Sequence, residues 1–174
     1  RVLFRSAEFD FDAWHTSLGA VTNQDPWNQS DRRKYYDDTI IGNSNELISL
    51  NPDWIPTFMT GNHDVNRAAS YIGDKVQDDQ EAFKLYAAMI TLRSGIPFIY
   101  YGDEIGMEGK KDPDCRRGMI WGETRQDLKL LEYYKQWINI RKSSKALQKG
   151  TTQFINIDDK NGTFEMIRTY KKEQ

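Results

Sequence analysis

The sequence predicts an α/β fold, and three features of residue order lead there. Thr57-Phe58-Met59 is a short apolar run of strand type that stops in the polar cluster Thr60-Gly61-Asn62-His63-Asp64. Ile96-Pro97-Phe98-Ile99-Tyr100-Tyr101 is a near-continuous apolar run ending in Gly102-Asp103-Glu104, and strands without polar alternation belong to parallel sheets covered on both faces. Between them, Ala82 to Ser94 has the apolar spread of a helix buried on more than one side. Strand, polar strand end, helix, buried strand and acidic strand end make a β/α unit. Both polar clusters then lie at the carboxyl ends of strands, where such folds collect their chemistry.

Taken in order, Arg1 to Ser6 are set aside as a candidate non-native leader, and both termini look cut. Ala7 to Asp12 alternates apolar and acidic residues and is expected to be a short strand or strand end. His15 follows without neighbouring ligand residues and is read as solvated. Val21 to Gln29 is rich in Asn, Gln, Asp and Pro and is expected to be a long loop, in which Trp27 either stacks on a ligand or packs over the chain. Ser30 caps an expected helix whose apolar face runs through Tyr36, Ile40, Leu47 and Ile48, weakened at Gly42 and Asn43 and ended by Asn51-Pro52-Asp53.

The helix after the polar cluster has acids Asp78, Asp79 and Glu81 at its start, Arg93 in its last turn and Gly95 as C-cap. A long charged loop runs from Gly106 to Gly122, with Lys110, Lys111, Asp112, Asp114, Arg116 and Arg117. A second helix is expected from about Gln126 to Lys142, where Leu130-Leu131, Tyr133-Tyr134 and Trp137-Ile138 recur at helical spacing. After Gly150 the pattern changes: two apolar runs flank Asn161-Gly162, a hairpin turn signal. The expected division is therefore residues 1–6 as leader, 7–149 as an α/β unit and 150–174 as the start of an antiparallel all-β domain.

The 174 residues carry 24 Lys plus Arg against 26 Asp plus Glu, with no basic run longer than a pair-sized cluster, so nothing asks for nucleic acid. No run approaches the ~20 apolar residues of a membrane span. Cys115 is the single cysteine, which excludes an internal disulfide and leaves the compartment open. Aromatic residues are frequent, with 5 Trp, 9 Tyr and 8 Phe. Their faces suit sugar rings as well as they suit cores.

Asn62, His63, Asp64 and Arg67 offer an amide, an imidazole, a carboxylate and a guanidinium within six positions, beside a Gly61 that lets the backbone turn. The plainer alternative is a turn in which Asn62 and Asp64 bond their own backbone.

Four ordered segments resemble the carboxyl-terminal part of the catalytic barrel of the α-amylase family of glycoside hydrolases. Phe58 to Asp64 resembles the end of the seventh barrel strand, and Gly95 to Glu104 the eighth strand and its exit. Asp112-Pro113-Asp114-Cys115-Arg116-Arg117-Gly118-Met119-Ile120-Trp121 resembles the following loop, in wording close to neopullulanase and maltogenic amylase members, and Tyr133 to Gly150 the closing helix. The resemblance implies a partial (β/α)8 TIM barrel, about strands six to eight, followed by the start of a β-sandwich. It implies Asp64 as the third catalytic carboxylate and His63 as a substrate-holding neighbour, with Asn62 and Arg67 as further substrate-binding candidates. Arg67 is expected mainly to bond Asp64 or another carboxylate, with substrate contact the lesser role.

The nucleophilic Asp and general acid Glu of the family belong to upstream strands, so no residue here is assigned to either role, and the segment alone is expected to be inactive. Asp103-Glu104 is read as a structural hydrogen-bonding pair, Asp10 and Asp12 as part of the sixth-strand region, and Cys115 as a buried or half-buried loop residue without chemistry. The implied substrate is an α-glucan or maltooligosaccharide; no cofactor or metal is assigned to the segment, calcium is left open for the complete enzyme, and oligomeric state and location are not specified. The alternatives are an amylase-like barrel that has lost activity, a transglycosylase or α-glucosidase of the same family, and, more remotely, a two-metal phosphoesterase, for which His15 and His63 supply too few ligands.

Overall fold

A computed structural model of the chain describes residues 7–9, 11–22, 55–76, 79–158 and 163–173. The candidate leader, Trp27, the helix expected after Ser30, and the Asn161-Gly162 turn lie outside the described residues. The elements are β1 (Ala7–Phe9), α1 (Phe11–Thr22), β2 (Ile55–Met59), α2 (Ala68–Gly73), α3 (Asp79–Leu92), β3 (Ile96–Phe98), α4 (Leu128–Ser143), α5 (Lys145–Lys149), β4 (Thr151–Asp158) and β5 (Thr163–Thr169). Three one-turn 3-10 helices, at Asp103–Ile105, Asp114–Arg116 and Glu123–Arg125, punctuate the stretch between β3 and α4.

β1, β2 and β3 form a parallel sheet in that order, with Phe9 level with Thr57 and Thr57 level with Ile96. Parallel neighbours need a crossover, and α3 supplies it between β2 and β3. Asp79 and Glu81 in its first turn favour the positive end of the helix dipole. Its exit depends on Gly95, which has φ 103° and a backbone so close to β2 that a Cβ would stand 2.3 Å from the Pro56 carbonyl oxygen. α4 begins where the Asp127 side chain accepts from the Leu130 N–H at 2.9 Å.

The main core lies where α1, α2 and α3 meet the sheet. Trp14 and Leu18 of α1, Phe58 and Met59 of β2, Ile72 of α2, and Tyr86 and Ile90 of α3 are its larger buried members. Ala87, Leu130 and Tyr134 form a smaller cluster between α3 and α4.

Two expectations are corrected. The chain turns into helix at Phe11, so Asp12 and His15 belong to α1, and Val21 and Thr22 end that helix rather than open a loop. The polar residues that disguised it are buried and satisfied by the helix itself: Ser17 Oγ donates to Ala13 O at 2.7 Å and Thr22 Oγ1 to Leu18 O at 2.8 Å. The strand expected over Ile96 to Tyr101 ends at Phe98. It is also only half covered, with Ile96 42% exposed, because β3 has no second partner strand among the described residues.

After α5, β4 and β5 pair antiparallel as the hairpin pattern predicted. Arg168 of β5 reaches into the β/α part: its Nη1 donates to Leu92 O at 3.1 Å and its Nη2 to Gly150 O at 2.7 Å. Arg141 of α4 donates to the carbonyls of Thr91, Arg93 and Gly95. Two guanidiniums thus cap the negative end of α3. Among the described residues, no helix is long and apolar enough to cross a membrane.

Candidate active site

The site grows from the end of β2. Thr60 N–H donates to Phe98 O at 2.9 Å, one residue beyond the formal strand. Its carbonyl accepts from Trp14 Nε1 at 3.0 Å and from the Tyr86 hydroxyl at 3.1 Å, so α1 and α3 both pin this point. Gly61 then serves a purpose other than the one expected. Its φ is not in the left-handed region; instead, a Cβ would stand 3.2 Å from Asp103 Oδ2, so glycine is what lets that carboxylate approach.

Asn62 is buried, its Oδ1 accepting from the Asp64 N–H at 2.8 Å and its Nδ2 lying 3.3 Å from Met59 Sδ. That is the Asx turn of the plainer alternative, and it corrects the placing of Asn62 at the substrate. The same turn throws the next two side chains outward. His63 and Asp64 side chains are 58% and 59% exposed, with Nε2 and Oδ2 3.4 Å apart.

Arg67 takes the role mainly expected of it, bonding a carboxylate. Its side chain is fully buried: Nε donates to Cys115 O at 2.9 Å, and Nη1 donates to Tyr101 O at 2.7 Å and to Asp103 Oδ1 at 3.0 Å. The guanidinium also lies 4.6 Å and 4.7 Å from the ring centres of Tyr100 and Tyr101. Enclosed in this way it bonds a neighbouring carboxylate, Asp103 rather than Asp64, and the substrate-binding assignment to Arg67 is withdrawn.

Asp103 and Glu104 are structural, as read. Glu104 Oε2 accepts from the Gly102 N–H at 2.7 Å. Asp103 Oδ2 accepts from Thr60 Oγ1 at 2.6 Å, and Thr60 Oγ1 accepts in turn from the Tyr100 N–H at 3.0 Å. Burial pushes the Asp103 carboxyl up to about 6, against the opposing pull of the Thr60 bond and the Arg67 charge. Burial likewise pushes the Tyr100 hydroxyl up to about 12.

The loop after β3 closes over the turn from the other side. The His63 carbonyl accepts from Arg116 Nε at 3.0 Å and from Cys115 Sγ at 3.2 Å. Cys115 is buried, in keeping with its reading as a loop residue. Arg116 pairs with Asp112 at 2.6 Å and sets Nη2 3.5 Å from Asp64 Oδ1. Arg116 was missed as a site residue, although Asp112 and Arg116 stand at the four-residue spacing that lets opposite charges meet on one turn. Among the described residues, no three His, Cys, Asp or Glu side chains gather in a group able to hold a metal ion.

The family model "Alpha amylase, catalytic domain" matches residues 7–150. A cyclomaltodextrinase of Geobacillus thermopakistaniensis (strain MAS1) is 41% identical over 101 residues, which is 58% of this chain and 16% of that protein. Neopullulanase 2 of Thermoactinomyces vulgaris is 37% identical over 107 residues, 62% of this chain and 18% of that protein. The chain thus spans less than a fifth of either relative. Among solved structures, an α-amylase of Geobacillus thermoleovorans complexed with acarbose superposes with TM-score 0.77 at 23% identity, over 95% of this chain and 34% of that one. At that identity the superposition speaks for the fold. The catalytic-domain model matches far more than half of the chain, and the chain belongs to the alpha-amylase family.

Proposed function

We propose that this chain is the carboxyl-terminal part of the barrel of a retaining α-glucan hydrolase, with β1, β2 and β3 as its sixth, seventh and eighth strands and β4–β5 opening a β-sandwich. Asp64 is its transition-state-stabilising carboxylate and His63 the neighbour that holds the substrate. The observation that carries this reading is the contrast within one turn: Asn62 and Arg67 are buried in the scaffold while His63 and Asp64 stand out together at a strand end.

Retaining glycosidases pass through an oxocarbenium-like state, and hydrogen bonds to sugar hydroxyls that tighten there supply several kcal/mol. An ionised Asp64 accepts from two hydroxyls while His63 donates to one, which orients the ring beside the scissile bond. Asp103, the carboxylate behind the turn, is 5% exposed and cannot reach a sugar. The nucleophile and general acid then come from upstream strands. Support for the longer enzyme comes from the chain's small share of its relatives; support for an α-glucan substrate comes from relatives named cyclomaltodextrinase and neopullulanase.

The test is the full-length protein assayed on maltooligosaccharides, cyclodextrins and pullulan beside sucrose, trehalose phosphate and β-glucans. Turnover of the first three is expected, with water or a second sugar accepting the glycosyl group. Preference for any of the latter three would overturn the substrate class, and no turnover at all would favour a barrel that has lost activity.

A further inference from the structure

We propose that Asp103 is the positioning residue of this site, a buried carboxylate that closes the Gly61–Asn66 turn at both ends and so sets where Asp64 and His63 stand. The proposal rests on the reading of Asp64 as the catalytic carboxylate. Thr60 comes just before the turn and Arg67 just after it. Asp103 takes one with each oxygen: Oδ2 accepts from Thr60 Oγ1 at 2.6 Å and Oδ1 from Arg67 Nη1 at 3.0 Å. Gly61, lacking a side chain, leaves room for it.

The clamp extends to the opposite wall. Arg67 N–H donates to Gly109 O at 2.9 Å and its Nε to Cys115 O at 2.9 Å. Cys115 and Arg116 hold the His63 carbonyl, and Arg116 reaches Asp64. A shift of Asp103 therefore moves the turn and the loop facing it together, without any contact between Asp103 and substrate.

Among the described residues, the ionisable groups that act on Asp103 or are acted on by it are Arg67 after the turn, Glu104 beside it, Tyr86 of α3 and Tyr134 of α4. Only Arg67 is a cation. As pH falls through about 6 the carboxylate gains a proton, and the ionic half of the clamp is lost. The sign for stability is the opposite of the sign for activity. The folded carboxyl, at about 6, holds its proton more tightly than an ordinary carboxyl at 3.8, so protonating Asp103 favours the folded chain as pH drops between those values. Acid inactivation through this group therefore proceeds without unfolding.

The experiment uses the full-length enzyme and a soluble maltooligosaccharide, with kcat, KM and thermal melting followed from about pH 4.5 to 8.5. Asp103→Asn imitates the protonated clamp and is expected to lower kcat by about 10- to 100-fold with KM within a few-fold, and to erase the acid limb near pH 6. Thr60→Val removes a bond that favours the ionised form, so the acid limb moves up by roughly half to one pH unit, while Thr60→Ser leaves it in place. Wild-type kcat and pH profile in Asp103→Asn overturn the proposal. If that variant does not fold, the Thr60 pair decides, and an unmoved limb in Thr60→Val overturns it as well. Asp64→Asn run alongside separates the two levels: an active Asp64→Asn enzyme defeats the underlying reading, whereas an inactive one beside a normal Asp103→Asn enzyme defeats only the clamp.

Discussion

Replacing Arg67 with Met tests how much of the site's rigidity comes from one buried cation. The side chain is wholly enclosed. Met fills the space of the aliphatic stem but leaves the Tyr101 and Cys115 carbonyls without their donor and Asp103 without its counter-charge. Removing one partner of a buried ion pair costs about 3–5 kcal/mol, and that range covers the case in which Asp103 stays ionised, as at pH 8. With burial pushing the Asp103 carboxyl up to about 6, pH 5 lies on the side where the protonated form dominates. No charge is then stranded, and what is lost is the hydrogen bonding to the Tyr101 and Cys115 carbonyls and to a neutral Asp103, at roughly 1–3 kcal/mol together, taking the net value of neutral hydrogen bonds. With about 2–4 °C of melting temperature per kcal/mol for a large domain, the loss should be roughly 10 °C at pH 8 and about half of that at pH 5. Calorimetry of the full-length enzyme and its Arg67→Met variant at the two pH values reads this directly. An equal loss at both would show that the Asp103 charge is not what Arg67 answers, and a loss below about 2 °C would refute the buried-pair account.

Two further outcomes are expected. Arg168→Met removes the donors to Leu92 O, Ala146 O and Gly150 O, so hydrogen exchange should quicken in β4–β5 and in the last turn of α3 while the turn at Asp64 keeps its protection; unchanged exchange would show that the arginine does not hold the hairpin. The 174-residue chain expressed alone should release no reducing sugar from starch or cyclodextrins, since under the proposed assignment it holds one of three required carboxylates, and among the described residues the β1 and β3 edges are unpaired. Clear turnover by the purified chain would defeat the division of catalytic labour proposed above.

What the sequence disclosed follows from the range of the interactions involved. α3 and α4 were legible because their apolar spacing and the acids at the start of α3 are local, as were the strand ending at Met59 and the hairpin pattern on either side of Asn161-Gly162; Arg93 and Gly95, expected in the last turn and at the C-cap, fall beyond Leu92, where α3 ends. α1 was not, because Ala7 to Asp12 alternates like a strand and the buried Ser17 and Thr22 look like loop residues until their hydroxyls are seen bonding inside the helix. At the site, the likeness of Phe58 to Asp64 to a catalytic strand end located the turn, and Asp103-Glu104 was recognised as structural. Which side chains leave the turn was hidden. Arg67 finds Asp103 across 36 residues and Thr60 finds it across 43, and no local pattern encodes such pairings. The same distance concealed Arg116, which meets Asp64 only once the loop folds back.

The most direct measurement is the steady-state kinetics of Asp64→Asn in the full-length enzyme on a maltooligosaccharide. The substitution keeps the size of the side chain and removes the charge that an oxocarbenium-like ring most needs. The kcat is expected to fall by about a thousand-fold or more while KM changes only a few-fold, because the lost interaction strengthens in the transition state. A variant with unchanged kcat would contradict the assignment of Asp64 and the function built on it.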